Sequence, residues 1–233
     1  MTDGGGAGPR VAVVVPVHGN EATLAELADR LGVALAGRPW RLRLVVDASP
    51  DDSAAVARTL AAQDARIAVT ELAVNVGQHA ALARGLAEET AADVWVCLDA
   101  DLQDPPEAVP LLLDRLGAGD VAAVFAGRRG RYESPLRRLT GTLHRRVAGR
   151  LTGLPRDAGA FLAMDPAVRA AVVPAVREQG APSVVLAVGR AGRPVASVPV
   201  VRDRRPVGRS AWTARARVRQ SLGSLAWAVR ARR

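Results

Sequence analysis

Asp99 and Asp101 stand one residue apart, directly after the apolar run Val94-Trp95-Val96-Cys97-Leu98, and Gln103, Asp104, Pro105 and Pro106 follow. Where a strand ends the backbone leaves its pleat, so two carboxylates at this spacing need not point to opposite faces. Both can then reach one hard divalent cation, which prefers oxygen ligands and keeps positions open for substrate phosphates. The coincidence of apolar strand, carboxylate pair and helix-starting Pro-Pro-Glu separates this stretch from a solvated acidic turn. Three more polar clusters also follow apolar runs: Pro16-Val17-His18, Asp47-Ala48-Ser49 and Asn75-Val76-Gly77-Gln78. Each has a purely structural alternative. Asp47 could cap the next helix, His18 could be an exposed loop residue, and Gln78 and His79 could cap the helix they begin.

The elements that must position these residues are legible in the apolar spacing. Val11–Val15, 42–46, Ile67–Leu72, 94–98 and 121–125 read as strands, the first ending in a turn at Pro16. Residues 22–36 have helical spacing at Leu24, Leu27, Leu31 and Leu35. Further helices are expected over 54–62, with Asp51 or Ser53 as N-cap, over 80–89, and over 106–116 with Pro in the first turn. Strands alternating with helices through about 125 residues predict an α/β fold, a mostly parallel sheet with helices on both faces. Ligands in such sheets bind beyond the carboxyl ends of the strands, so the four clusters should meet at one edge. The rest is less regular: a basic helix over 134–151, a short strand at 161–164, a helix begun by Asp165-Pro166, and a last strand over 195–201.

Composition bounds the alternatives. The 233 residues can bury one sizeable core, and with 3% aromatics it must be built of Ala, Val and Leu. The single cysteine, Cys97, excludes an intramolecular disulfide and reads as a small core residue. The net charge is +9, yet from Arg202 onward ten Arg face one Asp, so residues 1–201 are neutral overall. The body is therefore not expected to bind nucleic acid. Residues 1–9 read as a flexible Gly-rich tail, 10–201 as the catalytic body, and 202–233 as a basic tail. In that tail 211–230 is amphipathic, with Val218, Leu222, Leu225 and Val229 on one face, suited to an anionic membrane surface. The alternative is a helix packed on the body. No leader and no run of ~20 apolar residues is visible, so a cytosolic location, peripheral on the membrane, is expected.

The motifs at 13–20, 45–53, 75–82, 99–106, 131–138 and 151–161 stand in an order that resembles the inverting family 2 glycosyltransferases. Among these they are similar to the polyprenyl-phosphate, dolichyl-phosphate mannose synthase-like sugar transferases. The resemblance implies a GT-A fold, a UDP- or GDP-sugar donor, a polyprenyl-phosphate acceptor and a Mg²⁺ or Mn²⁺ ion. It implies that Asp99, Asp101 and Gln103 hold the metal and donor diphosphate. Pro16, His18, Glu21, Asp47 and Gln78 would line the nucleotide pocket. Arg128 and Arg131, placed after the strand at 121–125, would meet the acceptor phosphate, with Arg137 and Asp157 on the same side. The chain departs from the pattern at His18, where Tyr is usual, at Val46-Asp47-Ala48-Ser49 for Asp-Asp-Gly-Ser, and at 157–162. There Asp-Ala-Gly-Ala-Phe-Leu replaces Asp-x-Gly-Asp-Phe-Arg.

The chemistry favours a phosphate acceptor. An alcohol needs a general base, whereas a phosphate monoester with a second pKa near ~6 is already mostly dianionic. Ala160 in place of a carboxylate is compatible with the second case. The planar fork of arginine suits phosphate oxygens. The alternatives are the same fold acting on a soluble hydroxyl, or a non-catalytic nucleotide-sugar-binding relative. A separate membrane protein as partner is a further expectation.

Overall fold

The computed structural model describes residues 8–129, 153–203 and Trp227. Arg131, Arg137, the basic helix expected over 134–151 and, apart from Trp227, the amphipathic tail helix lie outside the described residues. Seven strands form one sheet: β1 (Val11–Val17), β2 (Trp40–Asp47), β3 (Ile67–Leu72), β4 (Val94–Cys97), β5 (Ala123–Arg129), β6 (Leu162–Met164) and β7 (Val195–Val201). Their order is β3-β2-β1-β4-β6-β5-β7. All pairs are parallel except those of β6, which runs antiparallel to both β4 and β5.

Both faces are covered, which is why the central strands read as continuous apolar runs rather than alternating ones. Val13, Val15 and Val17 point into a layer with α1 (Leu24–Ala34), α2 (Ser53–Gln63) and α4 (Val109–Gly117). Ala12 and Val14 point into the opposite layer, with α3 (Gln78–Glu88), α5 (Pro166–Arg177) and α6 (Val184–Arg190). Leu24, Leu27, Leu31 and Leu35, each 0% exposed, are the stripe that seats α1. Asp165 starts α5 by accepting a hydrogen bond from the Val168 amide at 2.7 Å.

Three local expectations are corrected. β1 does not stop at Pro16 but runs to Val17. Pairing with β4 ends at Val14, so on that side Pro16 has no ladder partner to lose, and its missing N–H costs nothing. β5 runs to Arg129, so Arg128 lies within the strand, opposite Val200, and not after it. The extension is supported by β7, which pairs with β5 along its whole length. The N-cap of α2 is Asp52 rather than Asp51 or Ser53, although Asp51 does accept the Ser53 amide at 3.2 Å. The helix α6, seated by Val184, Leu186 and Val188, had no counterpart in the sequence reading. No described helix is long and apolar enough to cross a membrane.

Candidate active site

The parallel strands end at one edge, and the loops after β1, β2, β3 and β4 meet there. Because β6 is antiparallel, the segment that precedes it, Asp157–Phe161, arrives at the same edge. So do Arg128 at the end of β5 and Arg202 after β7.

The loop after β4 is held in a defined shape. Asp99 follows Trp95 and Cys97 on the face covered by α3, and Gln78, the first residue of α3, donates from Nε2 to Asp99 Oδ1 at 2.6 Å. Thr23, only 5% exposed, donates to the Ala100 carbonyl at 2.7 Å. Leu102 has φ +57°, a left-handed conformation uncommon for a bulky residue; burial of its side chain stabilises it there. That turn brings the Gln103 amide back to Asp101 Oδ1 at 3.1 Å. The loop thus offers two carboxylates and an amide, all oxygen donors. Among the described residues no three His, Cys, Asp or Glu side chains converge on one point. A set of this size suits Mg²⁺ or Mn²⁺, which binds through one or two carboxylates and completes its shell with water and substrate phosphates.

At the end of β2, Asp47 is buried and accepts the amides of Val76 at 2.7 Å and Gly77 at 2.8 Å. It therefore shapes the β3–α3 loop and does not cap α2. His18 is exposed beside the end of β1, with Nδ1 2.9 Å from the Asp47 carbonyl. Glu21 accepts the Asp52 amide at 2.8 Å while its own amide donates to Asp51 at 3.1 Å, a reciprocal tie between two site loops. Burial alone would raise the Asp51 carboxyl, but hydrogen bonds from Ser49, Ser53 and the Glu21 amide hold it down at about 2. Ala48, in the same loop, is left-handed at φ +45°.

On the other side, the Asp157 carboxylate lies against Gly127 of β5 and beside Ser197 of β7. A Cβ at Gly127 would overlap both, so the glycine is what lets the carboxylate reach the sheet. Neither Gln78 nor His79 caps α3, whose N-cap is Gly77 at φ +87°. His79 Nδ1 is instead buried without a hydrogen-bond partner among the described residues. Burial pushes its pKa from 6.5 down to about 4. The unfolded chain therefore takes up the proton first on acidification. Stability should fall as pH drops from about 6.5 towards 4, by on the order of 2–3 kcal/mol for this group. Denaturant melts at pH 7 and pH 4.5 check this: a His79→Gln variant should lose less on acidification, and an equal loss would refute it.

The sequence reading missed Gly127, Asp104 and Arg202. Asp104 had a visible signal, its place between Gln103 and Pro105; Arg202 was hidden because it opens a run of arginines.

Comparison with known proteins gives consistent findings. The model of the family described as glycosyl transferase family 2 matches residues 12–164. An undecaprenyl-phosphate 4-deoxy-4-formamido-L-arabinose transferase of Pseudomonas aeruginosa is 39% identical over 157 residues, 65% of this chain and 45% of that protein. The protein of the same description from Klebsiella pneumoniae is 36% identical over 148 residues, 62% of this chain and 44% of its own. The chain thus spans less than half the length of these curated relatives. Glucosyl-3-phosphoglycerate synthase from Mycobacterium tuberculosis, solved with Mn²⁺, UDP and glucosyl-3-phosphoglycerate, shares the fold at TM-score 0.69. It is 21% identical, with 97% of this chain and 80% of that one covered. Mannosyl-3-phosphoglycerate synthase from Rubrobacter xylanophilus aligns at TM-score 0.66 and 19% identity, covering 96% and 74%.

Proposed function

The chain belongs to glycosyl transferase family 2, and from that premise we propose that it transfers a hexose, with inversion, from a UDP- or GDP-sugar to a polyprenyl phosphate. The observation that carries this reading is the loop Asp99–Gln103 at the sheet edge, braced by Gln78 against Asp99. The acceptor class is supported by relatives at 36% and 39% identity whose names specify undecaprenyl phosphate.

In this reading Asp99, Asp101 and Gln103 hold Mg²⁺ or Mn²⁺. The ion, when bound, neutralises charge growing on the leaving diphosphate. Gln78 keeps Asp99 turned towards the edge. Asp47 fixes the Val76–Gly77 turn, and with Pro16, His18 and Glu21 it forms the wall against which the nucleotide lies. The acceptor phosphate reaches the opposite side of the anomeric carbon, and Arg128, Arg131 and Asp157 are the residues assigned to it. A dianionic phosphate needs no proton removed, so no general base is assigned. The basic segment beyond Asp203 holds the protein on an anionic, cytosolic membrane surface, either directly or through a membrane protein.

Two measurements test this. Incubation with labelled UDP- or GDP-hexoses, Mn²⁺ and undecaprenyl phosphate should move label into the organic phase; no transfer with any donor would overturn the proposal. Full-length protein should sediment with vesicles rich in anionic lipid and dissociate as salt rises, whereas equal sedimentation with neutral vesicles would remove the electrostatic attachment.

A further inference from the structure

We propose that Arg202 is a positioning residue for the metal loop, so that the chain leaving β7 sets the geometry of Asp101 and Gln103. This rests on the reading of Asp99, Asp101 and Gln103 as the metal donors. Three observations carry it. Arg202 grips Asp104 with a planar fork, Nε to Oδ1 at 2.6 Å and Nη2 to Oδ2 at 3.1 Å. Asp104 is 1% exposed and Arg202 partly buried, so this is a bidentate, charge-assisted pair with its carboxylate out of water. The next residue, Asp203, donates its amide to the Gln103 carbonyl at 2.9 Å. Gln103 is thereby held from both sides, by Asp101 through its own amide and by Asp203 through its carbonyl.

A second brace fixes the far end of the loop. Arg30 of α1 grips Glu107 through two bonds of 2.8 Å and lies 3.7 Å from the Asp203 carboxylate. The segment after β7 is therefore tied to the same frame as the loop it supports. Asp104 is three residues from Asp101 in the chain, and among the described residues Arg202 is the cation paired with it. Without Arg202 its carboxylate would be buried and unpaired, a state relieved only by swinging the loop towards water. Gln103, its immediate neighbour, would move with it. Residues that orient metal ligands in this way typically change metal affinity by about 10–100-fold.

The test uses full-length protein and Mn²⁺ alone, with free Mn²⁺ read by its paramagnetic resonance signal. Circular dichroism at the same temperature establishes that each variant is folded. Arg202→Ala is expected to weaken Mn²⁺ binding about 10-fold or more, and Arg202→Lys, which keeps charge but loses the fork, less. Asp104→Asn, which keeps an amide oxygen to accept from Arg202 but removes the charge attraction, should fold and weaken binding similarly. The double variant Arg202→Gln with Asp104→Asn should be no worse than either single change, because the two residues act as a unit. Parent-like Mn²⁺ binding in folded Arg202→Ala and Asp104→Asn, with binding lost in Asp101→Ala, would overturn the positioning role alone. Unchanged binding in Asp101→Ala would overturn the donor assignment, and this inference with it.

Discussion

Asp101→Ala is expected to lower metal-dependent sugar transfer by about 10²–10³-fold, the range found when one preorganised group facing developing charge is removed. The carboxylate has two roles to lose. In the proposed reading it is one of the two carboxylates that hold the metal, and it accepts the Gln103 amide that folds the loop back on itself. Alanine removes both, and Leu102 keeps its left-handed φ of +57° with one less bond to compensate. Asp99 remains, braced by Gln78, so residual transfer at high Mn²⁺ is expected rather than none. Asp101 is only partly buried, so the melting temperature should change little. Initial rates across a Mn²⁺ series, with a thermal melt on the same preparation, check the result. Parent-like rates at every Mn²⁺ concentration would remove Asp101 from the site.

Gly85→Ala is expected to be strongly destabilising although it adds a single methyl. α3 lies so close to the sheet that a Cβ at Gly85 would overlap Val14 Cγ1 and stand 2.8 Å from Val45 Cγ2 and 3.3 Å from Arg43 Cγ. The valines are fully buried strand residues, so they cannot turn aside as an exposed side chain would. The cost should reach about 3 kcal/mol, the upper part of the usual range for overpacking. At roughly 2–4 °C per kcal/mol in a chain of this size, the melt should fall by about 6–12 °C. The effect should also reach the chemistry, because lifting α3 carries Gln78 away from Asp99. Gly32→Ala is the contrast. Its Cβ would meet only Trp40 Cζ2 at 3.8 Å, an ordinary contact, so the gain in helix propensity of up to about 1 kcal/mol should show. Equal melting temperatures for the two variants would refute the packing argument.

Much of the fold was readable because it rests on local periodicity. The boundaries of β3 and β7 coincide with their apolar runs, and the leucine stripe of α1 faces the core as its spacing requires. The exceptions have specific causes. β5 is longer than its apolar run, because β7 supplies partners for Gly127, Arg128 and Arg129. α6 is a short helix with too few turns for its periodicity to stand out. His79 looked like a cap residue, but Gly77 takes that position and the imidazole is turned inward.

The sequence by itself determined the alternation of strands and helices, the apolar character of both faces, and the place of Asp47, Gln78, Asp99 and Asp101 at or beyond the carboxyl ends of strands. These follow from spacing within a few residues, where side-chain direction is set by backbone period alone. Only the tertiary structure decided that β6 runs antiparallel, which delivers Asp157 to the edge where the parallel strands end. It also decided that both Asp47 oxygens hold a loop, and that Arg202 meets Asp104 across 98 residues of sequence. Such partners depend on strand order and on which groups are left buried. A buried carboxylate must find its cation or its amides wherever the fold brings them, and no local spacing records where that is.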